Sequence, residues 1–576
     1  MAILGISGLA DVEGFLREQF PQRMAGESRI VQGLDSAAAL IHDGRIIAAT
    51  AQERFDRQKK SGAFPFDAID YCLRIAGMSL GDLDAVCGNF DFGRYELIFR
   101  EPIARDYFER CLSPRRIQGL LAARYGTGPD FTPIDHHLGH LHAALASAPF
   151  DHCLGVVMDA AGEIGSTSVY RVEGGSVRRL ARYPIHKSLG IFYSLVTQFL
   201  GYAFNEDEYK VMGLASFGNP DRYAGFFASS ILLGDAGQID IPCLSLNEDF
   251  ADRLFFTGSM RVIEQGLGFR GAEAPVEQKA DVSAALQRRF TEAVFHICTH
   301  FADRTGARNL LLSGGCAENC MTAGALRDSG RFEHVYVAYA SGDDGTALGA
   351  AAAHSFAMGR PVRIAGQMPF FGPAPRRETA TAIAAARGLS VTAFPSEEQM
   401  LDAAAAEVAR DGIVALCNGR MEYGARALGN RSLLALPSNA ANKDRINLAI
   451  KKRQNYRPFA PAVTAEDAHR YFDLRPGESY PYMTMLTRLR PDYVDRLPAV
   501  AHVDGTARVQ TVDAEHNPAF HRFLSSLGGL TGLPVVLNTS YNVNQQPIVC
   551  SEEEAIDTFL EMGIDALYMA GLRISR

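Results

Sequence analysis

The chain has 576 residues, of which 47% are hydrophobic and 21% charged, and a formal net charge of −9. That length holds two or more domains with separate cores, and the composition is ordinary for a globular protein. The negative balance gives a nucleic-acid partner no bulk electrostatic support, and no run of about 18 apolar residues marks a membrane span.

The opening stretch MAILGISGLADVEG lacks a basic region ahead of a long apolar core, so it reads as a first β-strand and not as a signal peptide. The ten cysteines are scattered, and Cys316 and Cys320 have no second pair, which predicts a reduced, cytoplasmic protein without disulfides. Up to residue 360 the apolar runs AILGIS, AAALIH, RIIAATA, CLGVVMD, STSVYRV, NLLLSGG and HVYVAYA read as strands. Helical patterns lie between them, at 67–77 and 281–306. Alternation of this kind implies an α/β layered domain. The segment from Asp35 to Gly44 and the one from Asp159 to Tyr170 share a turn-and-strand layout. Two such halves are the plan of actin/hexokinase-like (ASKHA) folds, with nucleotide held between them.

Four constellations fall within this region. In TPIDHHLGHLHAALASA, His136 and His140 are four apart, which on a helix puts them on one face about 6 Å apart along the axis. Imidazoles so spaced can grip one metal ion, or can simply be polar residues at a domain edge. Asp159 and Asp343 both follow apolar strands, where carboxylates would complete a catalytic divalent site. In LLLSGGCAENC, a strand runs into Gly314-Gly315 and then a helix, a turn that either offers N–H groups to phosphate or is merely tight. In SGDDGTALGAAAA, small residues permit close approach of a ligand or a neighbouring helix. In NEDEYKVMGLASFGNP, Lys210 is either a phosphate contact or a surface lysine.

Residues 361–376, rich in Pro and Gly and without periodicity, read as a linker, leaving 1–360 and 377–576 as domains. The second domain alternates again, with helices at TATAIAAARG, EEQMLDAAAAEVARDG and EEEAIDTFLEMG and strands at IVALCNG and LPVVLNTS. Ser551 and Glu554 are placed for a capping box. Its cations are set among Gly, Ala, Asn and Pro, in GRMEYGARALGNRS, KKRQNYRPFAP, HVDGTARVQTV and NTSYNVNQQPIV. Guanidinium forks beside glycine turns suit a small, multiply charged anion, here a phosphate ester, held locally in a pocket.

These strings, with LDSAAALIHDG, ERFDRQKK, HHLGH, MDAAGE, EYKVMGLASFG, SGGCAENC and GDDGTALGAA, resemble the NodU/CmcH-type O-carbamoyltransferase family over almost the whole chain. Members of that family carbamoylate natural products, tobramycin among them. The resemblance implies an ASKHA-like domain followed by a YrdC-like α/β domain. It further implies that the YrdC-like domain makes carbamoyladenylate from carbamoyl phosphate and ATP, and that the ASKHA-like domain passes the carbamoyl group to an acceptor hydroxyl with loss of AMP. By matching motifs, Arg426, Arg431, Lys451, Arg453, Arg508, Ser540 and Asn542 are the carbamoyl-phosphate and adenylate contacts. Gly314, Gly315 and Asn319 are nucleotide contacts, and His136, His140, Asp159 and Asp343 are the divalent-metal ligands, usually for iron, with Mg2+ accompanying ATP. The implied partner is a small hydroxylated molecule, with no nucleic acid or membrane and a homo-oligomer allowed.

Three positions depart from the family pattern. Leu34-Asp35 replaces His-Asp, so the base is Asp35, His137 or His142, or the acceptor needs less help, or Leu34 is an altered residue that traps a complex. Gln545-Gln546 replaces Gly-Glu, and residues 9–33 lengthen a segment that can shape the acceptor pocket. Two other functions compete with the leading one: threonylcarbamoyl-type tRNA modification or hydrogenase maturation, and a non-catalytic ASKHA-like nucleotide-binding regulator. Negative charge and the lack of paired Cys-x-x-Cys motifs weigh against the first, and the cationic strings weigh against the second.

Overall fold

The computed structural model describes residues 1–24, 30–247, 249–364 and 366–576. Residues 25–29, inside the lengthened segment 9–33, and residue 365, inside the predicted linker, lie outside the described residues. The chain divides into two compact units. One comprises Met1–Glu53 and Lys60–Ala365, the other Arg54–Lys59 and Gly366–Arg576. Residues 54–59 thus count with the second unit, an excursion that the division into 1–360 and 377–576 does not contain.

The first unit holds two five-stranded sheets of the same plan. β1 (Ala2–Ser7), β2 (Ala37–His42), β3 (Arg45–Ala51), β4 (Ala85–Gly88) and β5 (Phe131–Pro133) lie in the order 3-2-1-4-5. The first three form an antiparallel meander, and β4 and β5 add in parallel beside β1. In the second sheet, β6 (His152–Met158), β7 (Gly165–Glu173) and β8 (Ser176–Pro184) form the meander. After a short hairpin, β9 (Leu232–Leu233) with β10 (Ile239–Asp240), strands β11 (Asn309–Ser313) and β12 (His334–Val337) add in parallel beside β6. The duplicated layout expected from the segments at Asp35 and Asp159 is therefore present as two equivalent α/β halves, the actin/hexokinase-like plan.

The central strands are buried on both faces, so they read as unbroken apolar runs. Small residues then set the spacing of the layers. A Cβ on Gly5 of β1 would meet the carbonyl oxygen of Ala347 at 1.9 Å, and one on Gly349 would meet that of Gly139 at 1.8 Å. The small-residue helix Gly345–Ala357 therefore packs against β1 and against the helix His136–Ser147. The close approach allowed by this sequence is that of a neighbouring helix. The long helix starts at Val276, directly after Pro275, and not at Asp281, and it ends at Gly306 with φ 70°.

The second unit is built on one mixed sheet. β13 (Ser390–Ala393), β14 (Val414–Cys417), β15 (Arg431–Ala435), β16 (Ala460–Thr464), β19 (Gln510–Val512), β20 (Val535–Ser540), β21 (Ala566–Met569) and β22 (Leu572–Ser575) lie in the order 13-22-21-14-15-20-16-19. A separate ribbon pairs β17 (Thr487–Arg488) with β18 (Thr506–Ala507). Helices Glu397–Ala409 and Pro518–Thr531 pack together over the sheet through Leu401, Ala404, Val408, Phe520, Phe523 and Leu527. The capping box forms as predicted: Ser551 Oγ accepts from the Glu554 N–H at 3.2 Å, and the Glu554 carboxylate accepts from the Ser551 N–H at 3.3 Å. No helix of the described residues is long and apolar enough to cross a membrane, and all ten cysteines are free thiols.

Glu407 ties this helix layer to the sheet edge. Its carboxylate accepts from Tyr568 Oη at 2.6 Å and from the Arg573 fork at 2.9 and 3.0 Å. Burial pushes its pKa up, but the Arg573 and Tyr568 hydrogen bonds outweigh this and hold it below the ordinary carboxylate value. Glu407→Gln should cost the unit about 1–3 kcal/mol. A depressed carboxylate stabilises above its unfolded pKa and loses that contribution as pH falls through the folded one. The gap between wild type and variant in thermal unfolding is therefore full at neutral pH and closes on acidification.

Candidate functional site

Four side chains of the first unit converge on one point. Asp135 caps the helix His136–Ser147 by accepting from the Leu138 N–H at 3.2 Å, and the first and second turns bring His136 and His140 to one face. Asp159 follows β6 and Asp343 precedes the helix Gly345–Ala357. The Nε2 atoms of the two histidines are 3.1 Å apart. His136 Nε2 lies 3.3 Å from Asp159 Oδ2 and 3.5 Å from Asp343 Oδ1, and His140 Nε2 lies 3.4 Å from Asp343 Oδ1. One ligand atom from each of the four residues lies within 4.8 Å of the others.

The supports of this cluster fix its chemistry. His136 Nδ1 donates to the Asn89 carbonyl at 3.0 Å, which leaves the Nε2 lone pair for the centre. Its ring stacks on Phe90 at 4.2 Å between centroids, and Glu163 accepts from its backbone N–H at 3.0 Å. The fully buried Nε2 atoms of the two histidines face each other at 3.1 Å, close enough to share a proton or to grip one cation. Bonds of about 2.0–2.2 Å to one such ion would set its ligands about 3.0–3.5 Å apart, close to the spacings seen. Burial disfavours charge on His136, yet the carboxylates of Asp343 and Asp159 hold its pKa well above the ordinary value. Asp159 goes the other way: burial raises it, but the imidazoles keep it far below the carboxylate range. Two imidazoles and two carboxylates suit a first-row divalent metal, and the residues present fit one.

The glycine turn serves this cluster directly. Gly314 has φ 88°, and a Cβ there would meet the Met158 carbonyl oxygen at 2.2 Å. The Gly315 N–H donates to Asp159 Oδ1 at 3.1 Å, so it orients a ligand carboxylate. Asn319 caps the helix Cys320–Asp328 and pairs with Gln287. In this structure the Gly315 N–H and the Asn319 amide bond within the protein. Lys210 is likewise held by Asp207 at 2.7 Å.

Among the candidate bases, His137 bonds Ser168 Oγ at 2.7 Å, and burial with the charge of His136 pushes its pKa down to about 3. His142 is buried against Phe356, and burial takes its pKa to about 4. Neither is open to an acceptor. Asp35 retains 23% side-chain exposure, sits at φ 56° and lies 3.6 Å from Lys60 Nζ. Burial, opposed by Lys60 and helped by Glu53, Asp343 and Glu318, pushes its pKa up to about 6.

In the second unit the cations gather at one end of the sheet. The register pairs Cys417 with Arg431, Ser432 with Ser540 and Ala460 with Asn538, while Ala462 runs parallel to Gln510. The loop after β14, the start of β15, the end of β20 and the segments ahead of β16 and β19 therefore share an end. These carry Arg426, Arg431, Ser540, Asn542, Lys451, Arg453, Arg457 and Arg508. Lys451 is buried, and its Nζ donates to three uncharged oxygens: Ser540 O at 2.6 Å, Asn542 Oδ1 at 3.1 Å and Ser540 Oγ at 3.3 Å. Burial, with the charges of Arg453 and Arg457, drives its pKa well below that of an ordinary lysine, a state that an incoming anion would relieve. The Gln510 amide donates to the Leu428 carbonyl at 2.9 Å, which holds the loop bearing Arg426 beside β19.

The Arg431 guanidinium is fully buried; Nη1 and Nη2 donate to the carbonyls of Asn418, Gly419, Asn430 and Pro373 and so brace these loops, while Nε has no partner among the described residues. The glycine-rich loop differs from expectation. Its inward N–H groups at Leu428, Asn430 and Arg431 converge on Glu422 Oε1 at 2.8, 2.7 and 3.1 Å, and a bound anion is not needed to satisfy them. Asn89, Phe90, Glu163 and Glu422 were missed as functional supports. Glu163 and Glu422 lay inside the strings MDAAGE and GRMEYGARALGNRS, whereas Asn89 acts through a backbone carbonyl that carries no residue signature.

Residues 31–101 and 103–352 match the family model described as carbamoyltransferase N-terminus, and residues 405–576 match carbamoyltransferase C-terminus. The chain is 36% identical to nodulation protein NolNO of Sinorhizobium fredii, over 94% of this chain and 79% of that one. It is 38% identical to nodulation protein NolO of Bradyrhizobium diazoefficiens, over 75% and 77%. It is 29% identical to a 3'-hydroxymethylcephem-O-carbamoyltransferase of Amycolatopsis lactamdurans, over 90% and 93%. With both halves matched and relatives aligned over most of their length, the chain belongs to the carbamoyltransferase family.

Proposed function

We propose that this enzyme is an ATP-dependent O-carbamoyltransferase that carbamoylates a hydroxyl of a small natural product by way of carbamoyladenylate. The observation that carries the reading is the gathering of Arg426, Lys451, Arg453 and Arg508 at one end of a single sheet, with Lys451 buried among uncharged oxygens. Such a site suits the dianion carbamoyl phosphate and the phosphates of Mg2+-ATP. Water displaces phosphate from the carbamoyl carbon, and the resulting carbamate oxygen attacks the α-phosphorus of ATP with loss of pyrophosphate. Ser540 and Asn542 fix the Lys451 ammonium for that step.

Transfer is assigned to the first unit. The acceptor oxygen attacks the carbamoyl carbon, its proton passes to Asp35, and AMP leaves with the electrons of the cleaved C–O bond. His136, His140, Asp159 and Asp343 would hold the metal, taken as Fe(II). When bound, that ion supplies positive charge to offset the charge on the departing phosphate. The free thiols fit a reducing, cytoplasmic setting. The hydroxymethyl named in the cephem relative supports a small hydroxylated acceptor.

The test combines the protein with carbamoyl phosphate, Mg2+-ATP and a panel of hydroxylated acceptors. Mass spectrometry should find one acceptor gaining a single carbamoyl group, with one AMP and one pyrophosphate per turnover. Carbamoylation that proceeds without ATP would overturn the adenylate route.

A further inference from the structure

We propose that Arg57 is a positioning residue for donor binding: it fixes the loop 541–549 and, through Asn542, the ammonium of Lys451. The inference rests on the carbamoyladenylate reading above and adds to it a residue from outside the C-terminal cationic strings.

Residues 54–59 lie in sequence within the first unit yet pack as part of the second. From this strap Arg57 donates through Nη1 to the Ile548 carbonyl and through Nη2 to the Pro547 carbonyl, both at 3.0 Å, and it pairs with Glu554 at 3.3 Å. The two carbonyls lie between β20 and the helix Glu552–Met562, in neither element. One residue earlier, the Gln546 carbonyl accepts from Asn542 Nδ2 at 2.6 Å, and the Oδ1 of the same amide accepts from Lys451 Nζ at 3.1 Å. The Val549 N–H closes the loop on the Tyr541 carbonyl at 3.1 Å. Arg54, also buried, donates to the Gly424 carbonyl at 3.1 Å, two residues ahead of Arg426. The strap therefore grips the loop that carries Asn542 and the loop that carries Arg426.

Arg57 holds its fork from a left-handed backbone, φ 61°, which is costly for a residue with a Cβ and persists where the surroundings demand it. A charge on the strap would suffice to attract Glu554. Two parallel N–H groups aimed at consecutive carbonyls do more, because they fix a direction. Those carbonyls cannot turn without moving that of Gln546, and with it the amide that faces Lys451. An ammonium on a flexible stem, surrounded by uncharged oxygens, depends on them for its place. The Ser540 carbonyl still holds Nζ at 2.6 Å, so loss of the fork loosens the ammonium without releasing it.

Pyrophosphate release by the full-length protein is measured with carbamoyl phosphate and Mg2+-ATP varied in turn. Arg57→Met keeps the stem and removes the fork, and Arg57→Lys keeps the charge for Glu554 with one point of donation. Glu407→Gln, which loosens the same unit beside β21 and β22, controls for a merely structural loss. In Arg57→Met the KM for carbamoyl phosphate should rise about tenfold, with kcat and the KM for ATP within about twofold of wild type. Arg57→Lys should fall between the two, and Glu407→Gln should leave all three constants unchanged. A folded Arg57→Met with the wild-type KM for carbamoyl phosphate overturns the assignment alone; should that variant not fold, Arg57→Lys with the wild-type KM does so. An equal rise in Glu407→Gln overturns it too. No pyrophosphate release by the wild type brings down the parent reading and this one together.

Discussion

Replacing His136 with alanine should strip the bound metal and stop carbamoyl transfer, while pyrophosphate release stays close to that of the wild type. The histidine contributes one of four inward ligand atoms and is the best supported of them, held by the Asn89 carbonyl and the Phe90 ring. Loss of an outer partner alone weakens metal binding about 10–100-fold, and loss of a ligand should exceed that. The remaining ligands carry two carboxylates against one imidazole, with no second nitrogen to close the set. Elemental analysis and acceptor carbamoylation are read side by side, with His140→Ala as an independent second variant. Full metal occupancy in both variants would remove the histidines from the site.

The complementary result is expected from Arg508→Ala: pyrophosphate release falls by about a thousandfold and the fold is kept. A preorganised cation facing developing phosphate charge is worth about 10²–10³ in rate, and this one belongs to the group proposed to bind the donor. Arg508 is half-buried at the head of β19 and not in the apolar core, so alanine leaves the packing of Phe520, Phe523 and Val536 untouched. Metal content should not change. Adenylate synthesis at wild-type rate in this variant would remove Arg508 from the pocket.

Much of this was legible in the sequence, for physical reasons. The spacing of His136 and His140 becomes a shared face because helical pitch is fixed, and the central strands of the duplicated sheets are apolar because both faces are covered. Ser551 with Glu554 marks a helix start through local hydrogen bonds alone. What stayed hidden depends on the direction of a side chain in three dimensions. Arg431 and Arg426 look equivalent in RALGNRS, yet one is enclosed by four carbonyls. The glycine turn at 314–315 looks like an anion site, but its N–H faces Asp159 because β6 and β11 are parallel neighbours, a long-range pairing that no local pattern reports.

The placement of residues 54–59 restricts how this protein can be recombined. Arg54 donates to the Gly424 carbonyl, and Arg57 donates to the carbonyls of Pro547 and Ile548 and pairs with Glu554 at 3.3 Å. A hybrid that exchanges everything after residue 366 with a homologue would keep the host's short strap and confront it with foreign carbonyl and acid positions. Swaps that carry the matching hexapeptide along should express better than those that cut the gene only once, because the heritable module is discontinuous.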